Sequence, residues 1–116
     1  MSVGVIIFSR YTSNRLPGKA LIDIAGRCLL GRVLDRSRLV KGIDRVIIAT
    51  SDASEDDAIA KFAKNEGVDI YRGSLANVID RALGACDLFE LKRFARICGD
   101  RPFFDPDLVT NLVKLH

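Results

Sequence analysis

The chain has 116 residues, 48% of them hydrophobic, which suffices for one domain with a real core. Its net charge is +3, and its eighteen Lys and Arg are spread along the chain, which argues against a nucleic-acid partner. No apolar run approaches the ~20 residues that span a bilayer, so no membrane partner is expected.

The first strand is predicted at Val3–Phe8, VGVIIF. It is too short for a secretory apolar segment, lacks a basic segment before it, and runs straight into Arg10, so no cleaved leader is expected. The loop that follows, Ser9 to Lys19, carries Arg10, Arg15 and Lys19 without an acid among them. A buried strand ending in clustered cations is costly unless an anion sits against them, and a nucleotide's phosphates are the first candidate.

Ala20–Ile24 is predicted as a short extended piece that turns at Ala25-Gly26. Leu29, Leu30, Val33 and Leu34 then recur at helical spacing, with Gly42 as the stop. Arg45–Thr50 reads as the second buried strand. Ser54 and Asp57 read as a variant capping box for a helix with Ile59, Phe62 and Ala63 inward, ended by Gly67. Val68–Tyr71 is a third, short strand. Ser74 is predicted to cap the next helix, with Val78, Ile79, Ala82 and Leu83 facing inward, and Arg93–Cys98 is the fourth strand. Asp105-Pro106 is a helix start, acid at N-cap and proline at N1, followed by Leu108, Val109, Leu112 and Val113.

The order β-α-β-α-β-α-β-α predicts an α/β fold, an open parallel sheet with helices on both faces, as a single domain over residues 1–116. Such a sheet would end on a large exposed edge, so the expectation is the N-terminal portion of a longer protein, or a half that needs a partner. The three cysteines, Cys28, Cys86 and Cys98, lack metal-ligand spacing, and the sole histidine is His116. Reduced, mostly buried thiols in a cytoplasmic protein are expected, without zinc and without a Cys/His catalytic pair.

In open parallel sheets, ligands bind beyond the carboxyl ends of the strands where strand order reverses. With the order 3-2-1-4, the cationic loop and Asp100, just after the fourth strand, face each other across one crevice. Cations for a polyphosphate would then meet a carboxylate for Mg²⁺, which binds through one or two carboxylates plus phosphate oxygens. The loop has neither GxxxxGK[ST] nor GxGxxG, so neither a P-loop nor a dinucleotide fold is indicated. Its grip would come from the cations and from backbone N–H groups around Thr12, Ser13 and Asn14. Pro17 stiffens the exit, and Gly18 permits the close approach that aims Lys19 back.

Ser9-Arg10-x-x-Ser13-x-Arg15-Leu16-Pro17-Gly18-Lys19 resembles the signature loop of the sugar cytidylyltransferases. That group includes CMP-KDO synthetase, acylneuraminate cytidylyltransferase and the spore-coat polysaccharide type. Further matches follow in order: Ile48-Ala49-Thr50-Ser51, Asp57-x-Ile59, Tyr71-Arg72-Gly73-Ser74, Asn77-Val78-Ile79-x-Arg81, and Gly99-Asp100-x-Pro102-x-x-Asp105-Pro106. The resemblance implies a Rossmann-like, nucleotide-diphospho-sugar-transferase-type fold using CTP and Mg²⁺ in polysaccharide biosynthesis. It implies that Arg10, Ser13, Arg15 and Lys19 hold the triphosphate, joined by Ser9 at the head of the loop. Arg72 would border base and ribose, and Asp100 would hold the metal. A sugar hydroxyl would attack the α-phosphorus with release of pyrophosphate, Arg15, Lys19 and Asp100 serving the transfer. Phe8-Ser9 replaces the family's Gln-Ala or Pro-Ala, and Cys98 stands where threonine or glutamine is usual. The second half of such enzymes supplies the sugar pocket, a second metal-binding aspartate and the dimer contacts, so a homo-oligomer is also implied. The alternative is a non-catalytic nucleotide- or sugar-phosphate-binding module. A receiver-like domain is disfavoured, because the first strand does not end in an acid pair.

The remaining charged residues have plainer readings. Asp52, Glu55, Asp56 and Asp57 read as helix N-terminal charge and capping. Arg81 reads as structural, paired with Asp80 or Asp57, and Tyr71 as packing. Arg72 could equally pair with a neighbouring helix acid.

Overall fold

Val3–Phe8 is β1, and its apolar run lies inside the sheet: Val5, Ile6 and Ile7 are fully buried. A computed structural model describes residues 3–10, 18–73 and 78–98. Beyond β1 the described elements are a hairpin of β2 (Asp23–Ile24) and β3 (Arg27–Cys28), helix α1 (Leu29–Ser37), β4 (Arg45–Ser51), α2 (Asp57–Glu66), β5 (Asp69–Gly73), α3 (Val78–Phe89) and β6 (Arg93–Cys98). The main sheet has the order β5-β4-β1-β6, with every neighbouring pair parallel. This is the expected 3-2-1-4 arrangement, with the first and fourth long strands adjacent. Ile6 lies opposite Ile47 on one side and Arg96 on the other, and Phe8 opposite Ala49 and Cys98.

Alternation along β1 divides the core between two layers. Val5 and Ile7 pack with Ile48, Leu30, Val33, Leu34, Ile59 and Ala63, under α1 and α2. Ile6 packs with Ile47, Ala49 and Ala85 under α3, where Tyr71 and Phe89 close the layer. The parallel sheet is therefore covered on both faces.

Local details depart from the sequence reading in several places. Only Asp23–Ile24 of the expected extended piece is a strand, because Lys19–Leu21 forms a 3₁₀ turn closed by Leu21 N–H on the Gly18 carbonyl at 3.0 Å. The turn at Ala25-Gly26 is as expected: both residues have positive φ, +55° and +95°, the geometry a two-residue hairpin requires. Helix α1 ends at Ser37 rather than near Gly42. The Ser37 hydroxyl donates back to the Val33 carbonyl at 2.8 Å, and Leu39 and Val40 close tighter turns on Arg36 and Ser37. Gly42, at φ +81°, serves the turn into β4 instead.

The capping box at Ser54 and Asp57 does not form. Ala53 precedes a 3₁₀ turn at Ser54–Asp56, and the N-cap of α2 is Asp56, whose side chain makes no capping hydrogen bond. Gly67 ends α2 in the left-handed region, as expected. On α3, Leu83 is 58% exposed rather than inward, and the buried stripe runs through Arg81 and Ala85. Residues four apart share a helix face, so Leu83 points away from the face that carries 81 and 85. Ser74 and the helix start at Asp105-Pro106 lie outside the described residues. Cys28 and Cys86 are free thiols, half-buried rather than buried, and Cys28 caps α1 by accepting the Gly31 N–H at 3.3 Å. Burial and the neighbouring Asp87 push the Cys86 thiol up.

Candidate functional site

All four strands of the main sheet point the same way, so their carboxyl ends converge on one edge. β1 ends there and delivers Ser9 and Arg10. Ser9 is buried, and its N–H donates to the Ala49 carbonyl at 3.0 Å, which extends the ladder with β4 by one residue. Arg10 Nε donates to Oδ2 of Asp56 at 3.2 Å, and its Nη2 lies 3.7 Å from Glu55.

Asp56 is fully buried at this edge. It accepts from the Ser51 hydroxyl, whose oxygen also accepts the Ala53 N–H at 3.2 Å. A buried carboxylate is tolerated only when charge and hydrogen bonds compensate it. Asp56 does stand at the N-cap of α2, as the helix-end reading expects, but its side chain makes no capping hydrogen bond and instead ties Arg10 to the end of β4.

Arg72, near the end of β5, reaches across to the same turn. Its Nε donates to the Ser51 carbonyl at 2.9 Å and its Nη2 to the Ala53 carbonyl at 2.8 Å. The same Nη2 lies 2.8 Å from Asp57 Oδ1. Asp57 is thus the partner of Arg72, and the pairing of Arg81 with Asp57 is corrected. The Asp52 N–H, on the Gly73 carbonyl at 3.0 Å, completes the link between the ends of β4 and β5.

Arg81, read from the sequence as structural, also reaches this edge of the sheet. It is only 4% exposed, on the first turns of α3, with its guanidinium 5.9 Å from the Phe8 ring. Its Nε and Nη1 are shielded from solvent and find no hydrogen-bond partner among the described residues. Arg96 of β6 approaches the same ring at 5.1 Å. Burial and the positive charge of Arg10 push the Arg81 guanidinium below the ordinary arginine range, Arg96 adds to this, and Asp56 opposes it. An arginine starts so far above neutrality that it stays a cation. The available signal was an arginine four residues before Ala85, on the apolar stripe of an amphipathic helix.

The structure thus brings Ser9, Arg10 and Arg72 to one edge, with Gly18 and the Lys19 backbone in the turn that leaves the loop. Gly18 has φ +78°, the freedom expected of it. Ser13, Arg15 and Asp100 lie outside the described residues. β6 ends at Cys98, directly beside Phe8 at the end of β1. Among the described residues no cluster of three His, Cys, Asp or Glu side chains is placed to hold a metal ion, and no helix is long and apolar enough to cross a membrane.

A parallel α/β sheet covered on both faces, with charged residues gathered at the carboxyl ends of its strands and a switch in strand order at β1, defines a Rossmann-like fold. The chain belongs to the cytidylyltransferase family, whose model matches residues 4–116. It is 34% identical over 115 residues to the spore coat polysaccharide biosynthesis protein SpsF of Bacillus subtilis, covering 96% of this chain and 48% of that protein. It is 37% identical over 112 residues to the 3-deoxy-manno-octulosonate cytidylyltransferase of Aeromonas salmonicida, covering 97% of this chain and 39% of that one. A cytidylyltransferase structure from Leptospira borgpetersenii superposes with a TM-score of 0.93 at 33% identity, over 100% of this chain and 49% of its own. A CMP:2-keto-3-deoxy-manno-octonic acid synthetase complexed with CTP superposes with a TM-score of 0.81 at 29% identity, over 98% and 46%. The chain spans about half the length of the curated relatives it matches.

Proposed function

We propose that this chain is the nucleotide-binding half of a sugar cytidylyltransferase that binds CTP with Mg²⁺ and serves cell-surface polysaccharide biosynthesis in the cytoplasm. The observation that carries the reading is the convergence of Ser9 and Arg10 with the ends of β4, β5 and β6 on one edge. Family membership and the CTP complex of a similar structure support the choice of nucleotide.

In this reading the reaction is attack by a sugar hydroxyl on the α-phosphorus, with pyrophosphate leaving. Arg10, Ser13, Arg15 and Lys19 hold the triphosphate. Asp56 keeps the Arg10 guanidinium in place, so the cation is pre-positioned before the phosphates arrive. Arg15 and Lys19 offset the charge that grows on the leaving pyrophosphate. Arg72, braced by the Ser51–Asp57 turn, borders the ribose and base. Asp100 holds the Mg²⁺; a single hard carboxylate plus phosphate oxygens is a sufficient donor set, and the ion supplies further charge neutralisation when bound.

The test is calorimetric titration of CTP, ATP and GTP with Mg²⁺ into the wild type, Arg15→Ala and Asp100→Ala. CTP should bind the wild type in preference to the purine nucleotides, Arg15→Ala should lose affinity, and Asp100→Ala should lose the Mg²⁺ dependence while remaining folded. Absence of any nucleotide binding at millimolar concentration sinks the reading. The alternative reading is a non-catalytic nucleotide- or sugar-phosphate-binding module. Pyrophosphate release from CTP with an acceptor sugar separates the two, since a binding module binds CTP without turnover.

A further inference from the structure

Among the described residues, nothing hydrogen-bonds Nε or Nη1 of the buried Arg81 guanidinium. Arginine has five N–H donors and no acceptor, and burying it unpaired is among the more costly arrangements in a protein. The described acids Asp56 and Asp57 are engaged by other residues. Asp56, which favours its charge, is held by Ser51 and Arg10, and Asp57 is held by Arg72. Arg10 and Arg96 add positive charge to the same region. The Phe8 ring offers a cation–π contact at 5.9 Å, which is weak compensation for a buried guanidinium and satisfies none of its in-plane donors.

The position of the side chain says what would complete it. Phe8 is the last residue of β1, immediately before Ser9 and Arg10, so the guanidinium sits at the carboxyl-end edge rather than deep under the sheet. The stem of Arg81 lies against Gly73 at the end of β5, where an added Cβ would come within 3.0 Å of its Cγ. Glycine at that position leaves room for the arginine to pass up to the edge. A planar, permanently charged fork held in an apolar setting is suited to the oxygens of a phosphate.

We propose that Arg81 is an oxyanion receptor on the α3 side of this edge, taking a phosphate oxygen of the bound nucleotide together with Arg10. The proposal rests on the nucleotide reading above and extends it to a residue outside the signature loop. It also gives the buried charge a role. An apolar residue of similar volume would pack at least as well in the empty protein, because replacing a buried charge in this way is often neutral or stabilising. Here the strain of the free state is relieved when the ligand arrives.

The experiment compares wild type, Arg81→Lys and Arg81→Met by thermal unfolding without ligand and by calorimetric titration of CTP, inorganic pyrophosphate and cytidine. Arg81→Met should unfold at the wild-type temperature or higher, while its affinity for CTP and for pyrophosphate falls about tenfold or more. Arg81→Lys, which keeps the charge but not the fork, should fall between. Cytidine, which has no phosphate, should bind all three proteins alike. CTP affinity within twofold of wild type in both variants overturns the proposal and leaves the nucleotide reading intact. A lowered unfolding temperature in Arg81→Met with unchanged CTP affinity also overturns it, making the arginine structural. Loss of cytidine binding equal to that of CTP would place Arg81 at the base and likewise overturn it. A wild type that binds neither CTP nor pyrophosphate sinks both readings together.

Discussion

Arg10 and the fully buried Asp56 meet at 3.2 Å, joining the loop after β1 to the turn after β4. The two residues are far apart in sequence, and their contact gives the loop's first cation a fixed place. Removing one partner of a buried charge pair typically costs about 3–5 kcal/mol, because the other is left uncompensated. Arg10 retains some exposure and can turn toward water, so Asp56→Ala should fall at the low end, about 3 kcal/mol by urea unfolding. Asp56→Asn, which can still accept from Ser51, should lose less. Equal stability of wild type and Asp56→Ala would show that this pair does not hold the edge together.

Arg72 makes a second brace, to Ser51, Ala53 and Asp57. Arg72→Ala should loosen this turn without unfolding the sheet. The readout is amide hydrogen exchange, which should quicken over residues 53–57 while the centre of β1 stays protected. Unchanged exchange at the turn would mean that the three contacts contribute nothing to its order.

The other end of the molecule carries a pH-dependent tie. Arg27 in β3 bonds Glu66 at the end of α2 at 2.7 Å and Asp35 of α1 at 3.0 Å. The Arg27 guanidinium holds the Glu66 carboxyl below the usual carboxylate range. A carboxylate depressed on folding stabilises the native state above its unfolded pKa, about 4.3 for glutamate, and that contribution is lost as pH falls through the folded value. Wild-type melting temperature should therefore decline more steeply below about pH 4.3 than that of Glu66→Gln. Parallel curves for the two proteins would remove this pair from the acid response.

Gly84 tests the packing of α3 on β5. Alanine in a helix interior is ordinarily favoured over glycine by roughly 0.5–1 kcal/mol. Here a Cβ at position 84 would run into the Tyr71 hydroxyl and ring. Overpacking of a core typically costs about 1–3 kcal/mol, so the clash should outweigh the propensity gain. Gly84→Ala should unfold at lower denaturant concentration than wild type. A stabilised Gly84→Ala would mean that Tyr71 moves aside freely.

The fold was legible because its signals are local and strong. Val3–Phe8 and Arg93–Cys98 are strands with the bounds the sequence suggests, and Gly67 stops α2 where expected. The hairpin turn was equally readable, since Ala25-Gly26 needs positive φ at both positions and glycine supplies one cheaply. Helix ends were less so. Ser37 and Ser54 each have a hydroxyl that can serve or compete with the backbone, and which it does depends on the neighbours. Burial of Leu83 was misjudged because α3 carries apolar residues on more than one face, and only the packed sheet selects between them.

For the site, the sequence alone identified a cationic loop after a buried strand, an acid after the fourth strand, and the family to which these belong. Those are properties of composition and order along the chain. Tertiary structure decided the partners: Asp56 with Arg10, Asp57 with Arg72, and Arg81 under Phe8 without a hydrogen-bonding acid at Nε or Nη1 among the described residues. The physical reason is that an ion pair or a buried charge is defined by proximity and desolvation. Both arise only when strands distant in sequence are brought to one edge of the sheet.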